Sequence, residues 1–392
     1  MFSVLSQYGD ARTGVLLTQS GAIETPVFMP IATAGAVKTL TADEVKSLGA
    51  SVILGNTYHL LLRPGVEMLR RVGGMKSLMG WHGPMLTDSG GYQVFSLATL
   101  NATDEEGVTF QSHLDGASIR LTPEISMDVQ AEIGSDIRMQ FDDVAAGTST
   151  RRRYQEAMER SIRWARGSKE AFEKILEKEG KSFAEPSGRP LLFGIVQGGT
   201  HEDLRHSSAV GLRDIGFDGY AIGGLSVGEQ REDAFRIAKR TVWDLPVEQP
   251  RYFMGGGMPE EIVYYVSVGV DMFDCVLPTR NARHGQLFVW KGEPETCVRE
   301  AFHRAQEGAA DTRIAEALYE KINITNERFT ADLAPIDSYS DTPTSLHFSR
   351  AYLRHLFRTG EVLGLRLATA QNIRFYIRMM EELRKVIREG GA

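Results

Sequence analysis

Cysteine is almost absent from the sequence. The 392 residues include only Cys275 and Cys297, which excludes a disulfide framework. The triplet Asn323-Ile324-Thr325 is therefore interpreted as a chance glycosylation sequon. The sequence also lacks an apolar run of about eighteen residues, and its first segment, MFSVLSQYGDARTG, has neither a basic stretch nor a long apolar one. These absences predict a cytoplasmic protein with no membrane partner.

An excess of positive charge is also missing. The chain has 44 Lys and Arg against 51 Asp and Glu, a net charge of −7, which argues against a non-specific nucleic-acid coat. From Arg350 onward, however, basic residues dominate. They are Arg354, Arg358, Arg366, Arg374, Arg378, Arg384, Lys385 and Arg388. This run is consistent with a basic surface or with a solvated helix face held by i,i+4 ion pairs.

The apolar residues occur in eight short runs that end in small or polar residues and alternate with helical segments. These runs span residues 25–32, 51–58, 84–91, 136–143, 191–199, 219–226, 251–257 and 270–275. Strands that are apolar on both faces and alternate with helices form parallel sheets, and eight of them predict a closed (β/α)₈ TIM barrel. In such a barrel the active site forms at the carboxyl ends of the strands.

The remaining segments are predicted to decorate one barrel domain that covers residues 1–392. An N-terminal hairpin is expected at 13–24, and a second hairpin at 107–121 would form a lid or an RNA-facing ridge. The helix at 150–179 is expected to be the longest. An inserted subdomain is predicted at 291–348, helical over 293–321 and loop-like afterwards, before closing helices at 349–388.

Three carboxylates stand at predicted strand ends: Asp88, Asp142 with Asp143 beside it, and Asp274. Cleavage of a glycosidic bond with retention needs one carboxylate that attacks the anomeric carbon and a second group that handles protons. The structural alternative is that Asp88 and Asp142 cap the helices that follow them.

Two long motifs carry a family resemblance. DMFDCVLPTR (271–280) and LTDSGGYQVFS (86–96) resemble the tRNA-guanine transglycosylase family, and the resemblance extends over nearly the whole chain. It implies a pentosyltransferase of queuosine modification that exchanges guanine at the anticodon wobble position of tRNA for a 7-deazaguanine. The implied partners are tRNAs with a G-U-N anticodon, guanine and the incoming base.

The resemblance also implies a role for individual residues. Asp274 corresponds to the nucleophile that bonds covalently to the ribose, and Asp88 to the general acid/base. The positions that correspond to base-binding residues are Ser89, Tyr92, Asp142, Gln197, Gly224, Leu225 and Met254. Among these, Tyr92 and Met254 would sandwich the base. Arg280 and Arg283 correspond to residues that contact the tRNA backbone, a task that suits bidentate guanidinium groups.

The chain departs from the family at its structural zinc site. The family binds zinc through a C-x-C-x-x-C run and a later histidine, but the corresponding positions here are Ser340, Thr342, Ser345 and Gln371. Hydroxyl and carboxamide groups do not form a tetrahedral zinc site, so no cofactor is expected. The segment 293–321 is the predicted structural replacement. A homodimer that binds one tRNA is implied by the family, with its geometry left open by the loss of the metal.

The identity of the incoming base and the catalytic status stay open. Val144 resembles the residue of queuine-using eukaryotic subunits, whereas Val227 resembles bacterial enzymes, and the balance favours preQ1 over queuine or another 7-deazaguanine. The leading hypothesis is an active transglycosylase without zinc. The alternatives are a non-catalytic RNA-binding paralogue or partner subunit, suggested by the lost zinc ligands, and base exchange on DNA instead of RNA.

Overall fold

The computed structural model describes residues 1–92 and 101–391, so residues 93–96 of the second motif lie outside the described part. The strands of the described part are short. They are β1 (Phe2–Tyr8), β2 (Ala11–Thr18), β3 (Gly21–Thr25), β4 (Val27–Pro30), β5 (Ile53–Gly55), β6 (Met85–Thr87), β7 (Asn101–Thr103), β8 (Val108–Gln111), β9 (Ser118–Leu121), β10 (Ile137–Met139), β11 (Leu191–Val196), β12 (Gly219–Ile222), β13 (Arg251–Phe253), β14 (Met272–Cys275), β15 (Gln286–Trp290) and β16 (Tyr319–Asn323).

The helices of the described residues alternate with these strands. They are α1 (Ala42–Ser47), α2 (Thr57–Leu62), α3 (Val66–Val72), α4 (Met75–Met79), α5 (Pro123–Ile133), α6 (Arg151–Lys178), α7 (Glu202–Ile215), α8 (Arg231–Asp244), α9 (Pro259–Ser267), α10 (Leu277–Arg283), α11 (Pro294–Gln306), α12 (Asp311–Leu318), α13 (Pro343–His347), α14 (Arg350–Thr359) and α15 (Val362–Gly390), with a 3₁₀ turn at Glu327–Phe329.

Eight parallel strands form the barrel. Their order is β4-β14-β13-β12-β11-β10-β6-β5, and all neighbouring pairs are parallel. A parallel bridge between Ile31 and Leu54 joins the two ends of this sheet, where the Ala32 amide donates to the Leu54 carbonyl at 2.7 Å. The predicted (β/α)₈ TIM barrel is therefore confirmed, with each predicted apolar run containing one barrel strand.

The strands are apolar on both faces because each face contacts a different part of the core. Ile195 points into the barrel interior, where it packs with Leu54 and Met139. Its neighbour Val196 belongs to the outer cluster, which includes Phe172 of α6. Successive side chains of a strand point to opposite faces, so a strand buried between a filled interior and a helical layer has no polar face.

The N-terminal sheet joins β1, β2 and β3 in an antiparallel arrangement. It contains the hairpin predicted at 13–24 and one additional strand. Arg12 of β2 forms a buried ion pair with Asp271, which directly precedes β14, at 2.6 Å. This pair attaches the sheet to the face of the barrel opposite the carboxyl strand ends.

The predicted hairpin at 107–121 is confirmed as β8 and β9, and β7 extends it to a three-stranded antiparallel sheet. Val108 and Phe110 pack against Tyr58 of α2 and Trp164 of α6. No described residue of this sheet lines the large cavity at the barrel mouth. The sheet thus flanks the cavity and does not form the lid that the sequence suggested, while its role as an RNA-facing ridge stays a prediction.

The helical region predicted at 293–321 consists of α11 and α12 and then changes to the strand β16, which pairs antiparallel with β15. Phe302 of α11 and Ile314 of α12 are buried in the same outer cluster as Phe375 of α15. These helices pack on the barrel's helical layer. The division into a barrel and an inserted subdomain stays a prediction.

The longest helix of the described residues is α15, with 29 residues, and the prediction that helix 150–179 is longer was wrong by one residue. The helical region predicted at 349–388 is also divided in two, because Gly360 adopts a left-handed φ of 72° that ends α14. None of the described helices combines the length and the apolar character needed to span a membrane.

Most of the basic residues after Arg350 form ion pairs within the chain. The pairs are Arg350 with Asp332, Arg366 with Glu44, Arg374 with Asp341 and Glu381, Arg378 with Asp341 and Glu382, Lys385 with Glu382, and Arg384 and Arg388 with Glu24. This pairing favours the interpretation of the run as an ion-paired helix face over that of a free basic surface.

Candidate active site

A cavity of about 500 Å³ opens at the carboxyl ends of the barrel strands. All but one of the eleven residues proposed from the sequence for catalysis, base binding and RNA binding line it. They are Asp88, Ser89, Tyr92, Asp142, Gln197, Gly224, Leu225, Met254, Asp274 and Arg280. Their convergence follows from the fold, because the carboxyl ends of all the parallel strands meet at one face of the barrel.

Asp274 lies at the carboxyl end of β14 and is almost fully buried. Its Oδ1 accepts hydrogen bonds from the Tyr252 hydroxyl at 2.5 Å and from the Gly255 amide at 2.9 Å. No described residue donates a hydrogen bond to Oδ2. Burial raises the pKa of Asp274, and the two hydrogen bonds oppose that rise. One oxygen is thus held while the other can reach a ligand in the cavity.

Asp88 follows β6 on the other side of the cavity. Its Oδ2 accepts from the Asn56 side-chain amide at 2.5 Å, and its Oδ1 accepts from the backbone amide of Thr57, at the start of α2, at 2.8 Å. The capping role considered for Asp88 therefore exists in part, but on the helix after the neighbouring strand β5. The same carboxylate lines the cavity, so its contact with α2 does not remove it from the cavity wall.

Asp142 forms the centre of a polar group on the cavity wall. Its Oδ1 accepts from the Ser89 hydroxyl at 2.9 Å, and its Oδ2 accepts from the Gln197 amide nitrogen at 2.7 Å. Burial raises the pKa of Asp142 to about 6, with a further contribution from the neighbouring Asp143 carboxylate, while the two hydrogen bonds oppose the rise. This carboxyl group can therefore change protonation state close to neutral pH.

The acidic pair at 142–143 is divided between two environments. The carboxylate of Asp143 accepts hydrogen bonds from Arg153 at 2.5 and 2.9 Å and from Arg160 at 2.5 Å, both on α6. Asp143 is not among the cavity-lining residues. It therefore anchors the strand end to α6 and leaves Asp142 to face the cavity.

A loop after β12 continues this wall beside Gln197. Gly224 has a left-handed φ of 60°, and a Cβ at this position would lie 2.2 Å from Oε1 of Gln197, so any other residue would strain the backbone and displace Gln197. The amide of Val227 donates to the Glu229 carboxylate at 3.0 Å, and the amide of Ser226 donates to the same carboxylate. Glu229 thereby fixes the loop that presents Gly224, Leu225 and Val227 to the cavity.

The residues expected above and below a flat ligand also reach the cavity. Tyr92 is 45% exposed and Met254 is partly buried, and both line the cavity wall. Val144 and Val227, the two positions that the sequence analysis compared for the choice of incoming base, line it as well.

The two arginines that follow the nucleophile position differ in their placement. Arg280 is exposed at the rim of the cavity and forms no ion pair with any described residue. Arg283 does not line the cavity, and its guanidinium donates to the Thr279 carbonyl at 3.0 Å. Of the two, only Arg280 is placed to meet a phosphate beside the cavity.

Two residues of the site were not found by sequence reasoning. Tyr252 holds the Asp274 carboxylate, and Asn56 holds that of Asp88. Asn56 follows β5 in the sequence ILGN, so the rule that identified the strand-end aspartates could have included it. Tyr252 lies inside β13, where a tyrosine is indistinguishable from a core residue in the sequence.

The four positions that correspond to zinc ligands lie away from this cavity. Ser340 and Thr342 belong to the loop before α13, Ser345 lies in α13, and Gln371 belongs to α15. No cluster of His, Cys, Asp and Glu suited to a metal ion occurs among residues 1–92 and 101–391.

A closed parallel barrel with buried carboxylates at its carboxyl strand ends defines the class of (β/α)₈-barrel enzymes. A family model described as Queuine tRNA-ribosyltransferase matches residues 7–392. The chain is 46% identical to the queuine tRNA-ribosyltransferase of Zymomonas mobilis over 389 residues, which cover 99% of this chain and 92% of the relative. It is 45% identical to that of Vibrio campbellii over 388 residues, with the same coverage.

The queuine tRNA-ribosyltransferase of Idiomarina loihiensis is 46% identical over 382 residues, which cover 97% of this chain and 91% of that protein. The chain belongs to the queuine tRNA-ribosyltransferase family.

Proposed function

We propose that this tRNA-guanine transglycosylase exchanges guanine at the anticodon wobble position of G-U-N tRNAs for a 7-deazaguanine through a covalent Asp274–ribose intermediate. The observation that carries the proposal is the geometry of Asp274. Tyr252 and Gly255 hold one of its oxygens in a buried cavity, and the other oxygen is left for the substrate. A carboxylate fixed in this way is suited to nucleophilic attack.

In the first step Oδ2 of Asp274 attacks C1′ of the ribose. The bond between C1′ and N9 breaks, its electron pair leaves with guanine, and a C1′–oxygen bond forms. Tyr252 remains a hydrogen-bond donor throughout, because burial and the nearby Asp274 carboxylate raise its pKa well above the usual value. The protein therefore keeps the nucleophile oriented before and after the bond forms.

Asp88 is proposed to handle the protons. It donates a proton to guanine as that base departs, and it then accepts the N9 proton of the incoming base. The deprotonated nitrogen attacks C1′, the C1′–oxygen bond breaks, and the Asp274 carboxylate is regenerated. Two displacements at C1′ retain the configuration of the nucleotide.

Base recognition is assigned to Asp142, Ser89, Gln197 and the Gly224–Leu225 backbone. The purine edge presents N–H groups that a carboxylate accepts and a carbonyl oxygen that amide groups can bind. Asp142 and Gln197 are already hydrogen-bonded to each other in the structure, so each is oriented before the base arrives. Tyr92 and Met254 would cover the two faces of the base.

The incoming base is proposed to be preQ1, with queuine as the competing possibility. Val227 is held by Glu229 against the cavity, and Val144 lines the cavity too. A larger substituent on the base needs room at this wall, which the β-branched side chain of Val227 reduces.

The test is trapping of the covalent intermediate. Wild-type protein incubated with a G-U-N tRNA hairpin should form a complex that survives denaturation, and Asp274→Asn should not, because a carboxamide is not a nucleophile. Labelled guanine should enter the same RNA with wild type but not with Asp274→Asn, and preQ1 should compete more strongly than queuine. A Ser338→Ala variant, changed at an exposed position far from the cavity, serves as the matched control.

Two results would contradict the proposal. Absence of both trapping and exchange by folded wild-type protein that still binds tRNA would support a non-catalytic RNA-binding role. Faster exchange into a matched DNA hairpin than into RNA would show that the proposal names the wrong polymer as the substrate.

A further inference from the structure

The four positions that hold zinc ligands in the family form one continuous hydrogen-bonded chain here. The Oγ of Ser340 lies 3.3 Å from Oγ1 of Thr342, and the Thr342 hydroxyl donates to Ser345 Oγ at 3.0 Å. The Ser345 hydroxyl in turn donates to Oε1 of Gln371. Each side chain therefore contacts the next, in the order in which the ligands occur in the sequence.

The four side chains are spaced as hydrogen-bonded groups. Ligands about 2.3 Å from a tetrahedral zinc lie about 3.8 Å from one another, and the spacings between consecutive members of this set are clearly shorter. Hydroxyl and carboxamide groups are neutral and hold their protons, whereas zinc sites of this kind use thiolates and imidazole. The residues present do not fit zinc.

The hydrogen-bonded chain of side chains continues through Gln371 into the body of the protein. Its Nε2 donates to the Phe288 carbonyl of β15 at 2.8 Å and to Oδ2 of Asp337 at 2.9 Å. Asp337 also accepts from the Trp290 amide at 3.2 Å and the Tyr339 amide at 3.0 Å. Gln371 thus joins the loop before α13 to both α15 and β15.

The neighbouring Asn372 connects this region with the candidate active site. Its side chain accepts from the Phe288 amide at 3.0 Å and donates to the Gln286 carbonyl at 2.9 Å. It also donates to the Pro278 carbonyl at 3.0 Å. Pro278 lies in α10, the short helix that follows the nucleophile and carries Arg280.

We propose that the hydrogen-bonded chain Ser340–Thr342–Ser345–Gln371 replaces the family's zinc as the structural fastener of this region, and that it sets the position of the Arg280 helix through β15 and Asn372. Ser345 and Gln371 are fully shielded from solvent, so their mutual hydrogen bond is not exchanged for bonds to water. The predicted contribution of segment 293–321 stays a prediction beside this one, because its last residues, 319–321, pair with the same strand β15.

Metal analysis and thermal melting test the first half of the proposal without any assay of activity. Purified wild-type protein should contain far less than one zinc per chain, and a strong zinc chelator should leave its Tm unchanged. One equivalent of zinc, or a Tm that falls with chelator, would overturn the proposal.

Substitutions test the hydrogen-bonded chain of side chains itself. Gln371→Leu removes both the acceptor for Ser345 and the donor for Phe288 and should lower the Tm by several degrees. Ser345→Ala is the milder variant, expected to lower it less, and Ser338→Ala in the same loop is the control that should not change it. Equal melting temperatures for wild type and the three variants would show that the hydrogen-bonded chain of side chains does not stabilise the fold.

A variant that restores the family's zinc ligands tests whether the four side chains point to a common centre. The variant Ser340→Cys/Thr342→Cys/Ser345→Cys/Gln371→His should bind about one zinc per chain, and its Tm should become sensitive to chelator. A folded variant that binds no zinc would show that the four positions do not converge.

The effect of the hydrogen-bonded chain on the Arg280 helix rests on the proposed function and is tested by a separate kinetic measurement. Gln371→Leu should raise KM for tRNA about threefold to tenfold and leave KM for guanine unchanged, because only the position of Arg280 depends on the chain. An equal rise in both constants would indicate general damage. Inactive wild-type protein would refute the proposed function but would leave the metal and melting results valid.

Discussion

The Asp274 carboxylate illustrates how one residue combines opposing requirements. Burial disfavours its charged form, whereas Tyr252 and Gly255 favour it by donating to the same oxygen. The result is a raised pKa for a poorly solvated carboxyl group, whose other oxygen accepts no hydrogen bond from a described residue. The contribution of Tyr252 can be measured by substitution, because Tyr252 donates through its side chain whereas Gly255 donates through its backbone amide.

Removal of the Tyr252 hydroxyl should slow catalysis. A hydrogen bond to a charged group contributes about 1.5–3 kcal/mol, so Tyr252→Phe should lower kcat by about 10- to 100-fold. KM for tRNA should stay the same, because the ring is buried and does not meet the RNA backbone. Steady-state kinetics checks this, and a change in KM alone would contradict it.

Protonation of Asp142 should control base binding. Since burial raises its pKa to about 6, a fall in pH below 6 protonates the group and removes an acceptor for the N–H groups of guanine. The value of kcat/KM for guanine should fall about tenfold per pH unit below pH 6 and level off above it. A flat profile between pH 5 and 7 would exclude this role.

Ionisation of the Asp142 carboxyl group should lower the stability of the fold, whereas it favours base binding. Its folded-state pKa is raised, so its contribution to the free energy of unfolding is complete below about pH 4 and is lost as the pH rises through about 6. Asp142→Asn should therefore raise the Tm at pH 8 relative to wild type, with little change at pH 4. Melting curves at the two pH values check this, and a Tm difference that grows towards low pH would contradict it.

At the scale of elements, α6 anchors two parts of the structure beside the cavity. Arg160 contacts both Asp143, at the end of the barrel strand region, and Glu105 of the inserted sheet. Trp164 donates from its indole nitrogen to the Glu105 carbonyl at 2.7 Å. One face of a single helix therefore fixes the acidic pair and the sheet.

Arginines on α6 should differ sharply in their effect on stability. Arg160→Ala removes one of the two arginines that pair with the buried Asp143 carboxylate and should lower the free energy of unfolding by about 2 kcal/mol. Arg152→Ala removes only an exposed i,i+4 pair with Glu156 and should change it by less than about 0.5 kcal/mol. Denaturant titration compares them, and equal effects would contradict the assignment.

The elements that could be predicted from the sequence are those with a local signal. All eight barrel strands follow from short apolar runs that end in polar residues. The strand β16 was missed because residues 319–323 follow a helical segment and form a strand only by pairing with β15. The break between α14 and α15 falls at the exposed, left-handed Gly360, and a glycine that follows the last helical residue is a local signal for a helix end that was missed.

At the scale of the whole molecule, an acidic chain must bind a polyanion. The net charge of −7 opposes a long-range attraction to RNA, and the basic C-terminal helices are largely neutralised by internal pairs. Local contacts at the cavity rim must then supply more of the binding, and Arg280 is the arginine placed there.

Arg280 should dominate the salt dependence of tRNA binding. Arg280→Ala should raise KM for tRNA by about tenfold and reduce the slope of log K against log salt by about 1, since one phosphate contact is lost. Arg283→Ala should have a smaller effect, because its guanidinium already donates to Thr279. Binding isotherms at several salt concentrations distinguish the two, and identical slopes would contradict the difference.

The candidate site was predictable as a set of positions but not as a set of contacts. Strand-end residues such as Asp88 and Asp142 meet at one face in any parallel barrel, so their proximity follows from the fold. The partnership of Tyr252 with Asp274 joins adjacent strands through a specific rotamer, which no local pattern encodes. The divergence of Arg280 and Arg283 likewise depends on how α10 packs.

The two buried cysteines have a practical consequence for experiments on this protein. Cys275 and Cys297 are the only thiols in the chain, and burial raises the pKa of both. Maleimide reagents should therefore leave the native protein unlabelled. A cysteine introduced at exposed Ser338 would be a single attachment point for a fluorophore, so tRNA docking could be followed by energy transfer without first removing native thiols.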